Sequence, residues 1–258
     1  MGAGPGLTGS AGCRYFAINM PSLAPASHSD RHAGLAGETA ATRRRLAQFY
    51  EALNAKMGPL HWWPGKTRFE VIVGAILTQS TAWSNVERAI ANLRSEGLLD
   101  PSALQRIPIK RLEQLVRPSG YYRRKARKLK AFVRFLESEF GGSLDRMFHQ
   151  PTTVLREKLL AVHGIGPETA DSILLYAGKH PIFVIDAYTR RIFSRHHLLG
   201  LGASYEEAQD FFHRHLSREV PLFNQYHALL VETGKRWCRP REARCEACPL
   251  GSFLERRS

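Results

Sequence analysis

The sequence predicts an all-α fold, and three observations predict it. From Thr42 to about Gly234, apolar residues return at three- and four-residue intervals. Ser, Thr or Asp, followed three residues later by Glu or directly by Pro, marks one helix start after another. No segment shows a convincing strand pattern, and no unit of about 20 to 50 residues repeats.

Residues 1–40 are rich in Gly, Ala, Ser and Pro without an apolar period and read as a disordered tail, with Met1 or Met20 as the start. The first helix follows from Thr42, with Leu46, Phe49, Tyr50 and Leu53 on one face. After the loop Gly58–Gly65, Thr67 and Glu70 form a capping box for the near-continuously apolar FEVIVGAILTQ, which belongs in the middle of the protein. Ser84 and Glu87 are expected to cap the next helix, with Val86, Ile90 and Leu93 inward and Gly97 as its stop. Asp100-Pro101 opens a short helix, and Ile109, Leu112 and Val116 line the one after it. Residues 121–140 make a long amphipathic helix. Leu129, Phe132, Val133, Leu136 and Phe140 face inward, and Arg123, Arg124, Lys125, Arg127, Lys128 and Arg134 face outward.

At residues 154–191 a short helix runs into the turn His163-Gly164-Ile165-Gly166, and a second helix starts at Pro167, which suits the first helical position. Glycines at 164 and 166 permit positive φ and leave backbone amides uncovered, a concavity that suits phosphate. An extended apolar run then delivers Asp186 to the start of another helix. A helix capped by Ser204 and Glu207 and one from about Pro221 to Gly234 complete the chain.

The net charge of +14 over 258 residues points to a polyanionic partner, nucleic acid before an anionic membrane surface. No apolar run reaches the ~20 residues of a membrane span, and the start lacks a secretory pattern. Four cysteines, three of them clustered, are too few for a disulfide framework and fit a reducing cytoplasm.

Over roughly residues 41–250 the chain resembles the helix–hairpin–helix base-excision DNA glycosylase superfamily, in its endonuclease III-like branch. The hairpin, the acid about twenty residues downstream and the following Ala-Tyr-Thr-Arg-Arg carry the likeness. The resemblance implies a central helical barrel at 67–181 with the helix–hairpin–helix. It implies a second helical domain from 41–66 plus 182–258 with a Cys-rich loop, and a DNA-binding cleft between the two bundles. It makes Asp186 the catalytic acid, stabilising positive charge on the deoxyribose and orienting water. Asp also suits a helix N-cap, and one carboxylate can fill both roles.

Two positions depart from endonuclease III. Where bifunctional members carry the lysine that forms a Schiff base, this chain has Glu168, which cannot form an imine; a monofunctional enzyme using water is expected. Cys238, Cys245 and Cys248 match three positions of the family's iron–sulfur loop, but Leu254 stands at the fourth. A 4Fe-4S cluster with an open or foreign fourth ligand, Cys13 folding back, a decayed loop, and zinc with a borrowed His all remain open.

Trp62, Trp63, Pro64 and Trp83 are either core or a base pocket. Together with the Leu77–Trp83 segment and the lysine-free hairpin they resemble the 3-methyladenine DNA glycosylase III branch, which implies alkylated purines as substrates. The same likeness makes Gln79 a polar wedge in the duplex, although a helix-end glutamine bonded to backbone is the plain alternative. His163, Gly164, Ile165, Gly166, Thr169, Arg123, Arg124, Arg127 and Arg190 are the expected DNA contacts, with Arg236, Arg239, Arg241 and Arg244 able to join them. The expected partner is damaged double-stranded DNA, met by a monomer in the cytoplasm at a bacterial nucleoid. The competing readings are a bifunctional glycosylase/AP lyase for oxidised pyrimidines and a non-catalytic helix–hairpin–helix DNA-binding protein.

Overall fold

A computed structural model describes residues 28–254, with side chains from Thr39 onward. Twelve α-helices are present among the described residues: α1 His28–Met57, α2 Arg68–Leu77, α3 Trp83–Ser95, α4 Pro101–Arg106, α5 Ile109–Leu115, α6 Tyr122–Phe140, α7 Leu144–Phe148, α8 Thr152–Leu160, α9 Pro167–Ser172, α10 Ala187–Arg195, α11 Tyr205–His215 and α12 Val220–Arg236. Among these residues the only strand-like pairing is one bridge, Cys238 with Ala243. No helix among them is long and apolar enough to cross a membrane.

α2 organises the interior. Every residue from Phe69 to Leu77 is buried, and each fully buried Ile, Leu or Phe contributes about 1.5–3 kcal/mol. The core is contiguous from Leu46 in α1 through α2, α6 and α9 to Leu229 and Leu250. The inward face of α6 is the expected one, since Leu129, Phe132, Val133, Leu136 and Phe140 are all buried.

Several local expectations need correcting. A tail was expected up to residue 40, yet the chain is helical from His28; Ala-rich sequence without an apolar stripe has helix propensity that periodicity cannot reveal. Residues 1–27, with Cys13 and both candidate start methionines, lie outside the described residues. Thr67 does accept from the Glu70 amide, at 3.1 Å. The Glu70 carboxylate does not return to the cap but pairs with Arg94 at 2.6 Å, which balances a charge buried beneath α2. Ser84 is not a cap: α3 starts at Trp83 with Ala82 as its N-cap residue, two positions before Ser84, and Glu87 accepts from the Trp83 indole at 2.9 Å. Lys125 is buried rather than outward, with its ammonium on the Ser119 carbonyl, and desolvation lowers its pKa to about 8. Ser204 and Glu207 form the full capping box.

Two networks hold the segment that leads to Asp186. Asp171 on α9 is fully buried and takes Arg156 from α8 at 2.8 and 3.2 Å and Gln209 from α11 at 2.8 Å. Gln209 also donates to the Phe183 carbonyl at 2.7 Å, and the Ile185 amide donates to the Tyr205 hydroxyl at 3.3 Å. On the other side, the Phe183 amide donates to Nε2 of His213 at 2.9 Å.

That bond needs a neutral imidazole. Burial, then Arg218, pushes the His213 pKa down to about 4, and burial, then Arg45 and His197, does the same to His196. Unfolded histidines titrate near ~6.5. Between these values the unfolded chain binds more protons, so this stability is complete above about 6.5 and is lost as pH falls through about 4. Glu168, raised to about 7, acts in the opposite sense over part of that window. The test is therefore comparative: Tm should fall from pH 7 to pH 5 less steeply in His213→Asn than in the wild type. Equal slopes by thermal unfolding would exclude His213 as the source.

Candidate active-site groove

The hairpin brings the first elements together. Gly164 has φ +84°, and the Lys128 stem packs where its side chain would be, so only glycine fits there. Gly166, expected to share positive φ, is instead extended at φ −96° and ψ 179°, as an N-cap residue before Pro167 should be. The Ile165 side chain is buried and its amide closes the turn onto Val162 at 3.0 Å, while His163 and Gly166 are exposed.

Gln79 is tied to this hairpin. Its amide donates to the Gly164 carbonyl at 3.2 Å and to the Thr169 hydroxyl at 2.8 Å, and Lys128 donates to its oxygen. Gln79 thus stands at the helix end in side-chain and backbone bonds. Beside it, Tyr121 is 66% exposed with φ +42°, above a shallow basic hollow formed with Arg124 and Lys128. Arg123 and Arg127 are exposed on the same helix. Arg190 donates to the Ala203 carbonyl.

A groove of about 660 Å³ opens between the α2–α3 turn, the start of α9, the start of α10 and the end of α12. Asp186 and Glu168 both line it, with Tyr188, Arg191, Lys235 and Arg239 around them. Asp186 caps α10, its Oδ1 accepting from the Thr189 amide at 2.7 Å, and retains 9% exposure. Its second oxygen, Oδ2, lies 3.6 Å from Nε2 of the buried His227 on α12. Nδ1 of His227 is hydrogen-bonded to the Tyr176 hydroxyl. Burial lowers the His227 pKa against the opposing pull of Asp186, so this is a neutral imidazole beside a carboxylate and not an ion pair.

Glu168 is elevated to about 7, first by desolvation, then by Asp186, with Arg190 opposing. Its side chain is open to the groove, so the elevation reflects crowding by the groove walls and not complete burial.

The tryptophans do not line this groove and gather around one another and Tyr176. Trp63 lies 5.2 Å from both Trp83 and Tyr176 and 5.6 Å from Trp62, between ring centroids. Gly74 on α2 leaves the room they need, since a Cβ there would stand 3.1 Å from the Trp63 indole nitrogen. The rings meet edge to face or tilted, and no parallel pair forms a ready sandwich. Pro64 is exposed at the loop. The indole nitrogens of Trp62 and Trp63 are buried without hydrogen-bond partners; Trp62 comes close to the Tyr176 hydroxyl but short of bonding geometry. Lys235, which lines the groove, places its ammonium 5.3 Å from the Trp62 ring centre.

The cysteine loop has a different character. Cys238, Cys245, Cys248, His196 and Leu254 border one small cavity. No three ligating side chains among the described residues are gathered closely enough to hold a metal. Leu254 makes the fourth corner aliphatic. Arg195 donates to the Cys238 sulfur at 3.2 Å and to the Arg239 and Pro240 carbonyls at 2.8 and 2.9 Å. As they stand, these residues do not fit a four-thiolate cluster, and arginines secure the loop.

Sequence reasoning missed His227, Tyr176 and Lys235. His227 and Lys235 come from α12, remote in the chain, and Tyr176 reads as one more apolar residue of the buried stretch between Glu168 and Asp186.

Comparison with known proteins agrees with this arrangement. The model of the HhH-GPD superfamily base excision DNA repair proteins matches residues 73–217. A candidate DNA repair glycosylase of Methanocaldococcus jannaschii is 42% identical over 209 residues, covering 81% of this chain and 94% of that one. Endonuclease III of Sulfolobus acidocaldarius is 30% identical, covering 74% and 84%. Among solved structures, H. pylori 3-methyladenine DNA glycosylase bound to 1,N6-ethenoadenine superposes with a TM-score of 0.65 at 28% identity, covering 76% of this chain and 97% of that one. An endonuclease III–DNA complex gives a TM-score of 0.71 at 19% identity, covering 83% and 95%, a likeness of fold.

Proposed function

Because the chain belongs to the HhH-GPD superfamily of base excision DNA repair proteins and is a DNA glycosylase of that family, we propose that it is a monofunctional one, hydrolysing the bond between an alkylated purine and its sugar in duplex DNA. The observation that carries this reading is the pairing of two carboxylates, Asp186 and Glu168, in one groove. As the glycosidic bond lengthens, positive charge grows on the deoxyribose, and Asp186 is placed to stabilise it. Water attacks C1′ and gives its proton to a carboxylate of the groove, and the base leaves with the bonding electron pair. The basic surface of α6 and the hairpin amides of Gly164 and Gly166 would grip phosphates whatever the sequence, so binding weakens steeply with salt.

The purine preference rests on Trp62. Its indole already carries a cation, Lys235, and a cationic alkylated base would use the same electron-rich face once that ammonium swings aside. Resemblance to the H. pylori enzyme supports the same substrate class.

One observation favours a second reading. Lys235 brings an amine into the groove, as a lyase would require, but it is ion-paired to Glu232 at 2.9 Å, and a protonated amine is no nucleophile. A base-release screen over alkylated, oxidised, deaminated and mismatched duplexes tests the proposal. Release of alkylated purines from otherwise intact strands is expected, and release of oxidised pyrimidines with strand cleavage would reject it. Glu168→Lys is expected to gain a borohydride-trapped protein–DNA adduct that the wild type lacks, detected as a shifted band on a denaturing gel. Trapping in the wild type that disappears in Lys235→Ala would establish the second reading instead.

A further inference from the structure

The Asp186 carboxylate has a second, buried partner that the proposed hydrolysis has not yet used. His227 is 4% exposed and Tyr176 is 3% exposed. Nε2 of His227 is buried without a hydrogen-bond partner and faces Oδ2 of Asp186 at 3.6 Å. Nδ1 is engaged by the Tyr176 hydroxyl. Burial raises Tyr176 well above the usual phenol range, so it keeps its proton and can donate it to Nδ1. A lone pair on Nε2 aimed at a carboxylate would repel it, whereas an N–H there attracts it. Both contacts therefore select the Nε2–H tautomer, in which the remaining ring nitrogen is oriented by its own partner. No other titratable side chain is needed to complete the chain.

We propose that His227, seated by Tyr176, is the positioning residue that holds Asp186 by Oδ2 for base release. With Oδ1 fixed by the Thr189 amide, the carboxylate is clamped at both oxygens. Its open lone pairs are then directed into the groove, where the sugar cation forms. A buried donor that lacks a full-strength partner costs stability on its own, and Oδ2 of Asp186, at 3.6 Å, is the acceptor that faces it. Tyr176 also touches Trp63, so the clamp is built into the same wall as the aromatic cluster. This inference rests on Asp186 being the acid of a glycosylase, and the test separates the two.

The experiment compares His227→Leu, His227→Gln and Tyr176→Phe with the wild type in single-turnover base release from an alkylated-purine duplex. Affinity for a duplex holding a stable abasic-site analogue is measured in parallel. His227→Leu should slow release by about 10- to 100-fold, the range seen when a partner that orients a functional ligand is removed, with affinity unchanged. His227→Gln, whose amide can still donate to Asp186, should recover most of the rate, and Tyr176→Phe should fall between them. Full activity in His227→Leu, or loss of affinity in step with rate, would overturn the proposal. Ring-nitrogen NMR of His227 provides a readout independent of activity: the Nε2–H tautomer is expected at pH 7, with its resonance displaced by Asp186→Asn. An Nδ1–H tautomer would refute the clamp even if no duplex proved to be a substrate. Absence of base release by the wild type, with the Nε2–H tautomer present, would instead remove the glycosylase reading and leave the clamp as a structural fact.

Discussion

Asp186→Asn is expected to lower single-turnover base release by at least about 100- to 1000-fold, the cost of removing one group aimed at transition-state charge. Binding to undamaged duplex, and its salt dependence, should be unchanged. The choice of asparagine matters because Asn and Asp are equivalent helix N-caps. The bond from the Thr189 amide, 2.7 Å in the native groove, has an amide oxygen available in its place. Tm should therefore move little, and a rate loss can be assigned to charge and not to collapse of α10. If release persists undiminished, Asp186 is a cap alone and another group must stabilise the charge on the sugar.

The largest effect on folding is expected at Asp171. Its carboxylate is fully buried and accepts from Arg156 and Gln209. Asp171→Ala strands a guanidinium whose side chain is only 20% exposed. Breaking a buried pair from one side costs about 3–5 kcal/mol, more than the intact pair contributes. For a chain of this size that corresponds to a Tm lower by roughly 10 °C. Replacing both partners, Asp171→Leu with Arg156→Met, should restore much of the loss, because no unpaired charge remains. Thermal unfolding of the three proteins decides this, and an Asp171→Ala protein as stable as the wild type would show the network to be ornamental. Because Gln209 ties Asp171 to the Phe183 carbonyl, base release should fall in Asp171→Ala even at temperatures where it remains folded.

What could be read from the chain depended on how local the physics was. The order of the helices other than the short α7, the inward stripe of α6 and the capping box at Ser204 and Glu207 follow from spacing of a few residues, and the structure shows all three. Asp186 was legible because the hairpin, the apolar run and the cap occur in one continuous stretch. His227 was not, although it lies 3.6 Å from that acid, because it comes from α12, and an isolated histidine on an apolar helix face carries no signal. Ser84 misled for a related reason: the Ser-x-x-Glu pattern is real, but Glu87 is better used by the Trp83 indole. Lys125 reads as solvent-facing by type, yet the Ser119 carbonyl inside the fold takes its ammonium. Gly166 shows that a glycine in a turn need not have positive φ, since the adjacent Pro167 already requires extended backbone before it. The tryptophans were gathered correctly, but their mutual tilt is a packing outcome that composition cannot convey.

The central claim is that water, and no amine of this chain, takes the sugar from the base. Incubating the wild-type protein with an alkylated-purine duplex under single-turnover conditions, with borohydride present and absent, tests it most directly. The account predicts free base, an unbroken abasic strand and no covalent protein–DNA species in either arm. A trapped adduct formed at the rate of base release would contradict it.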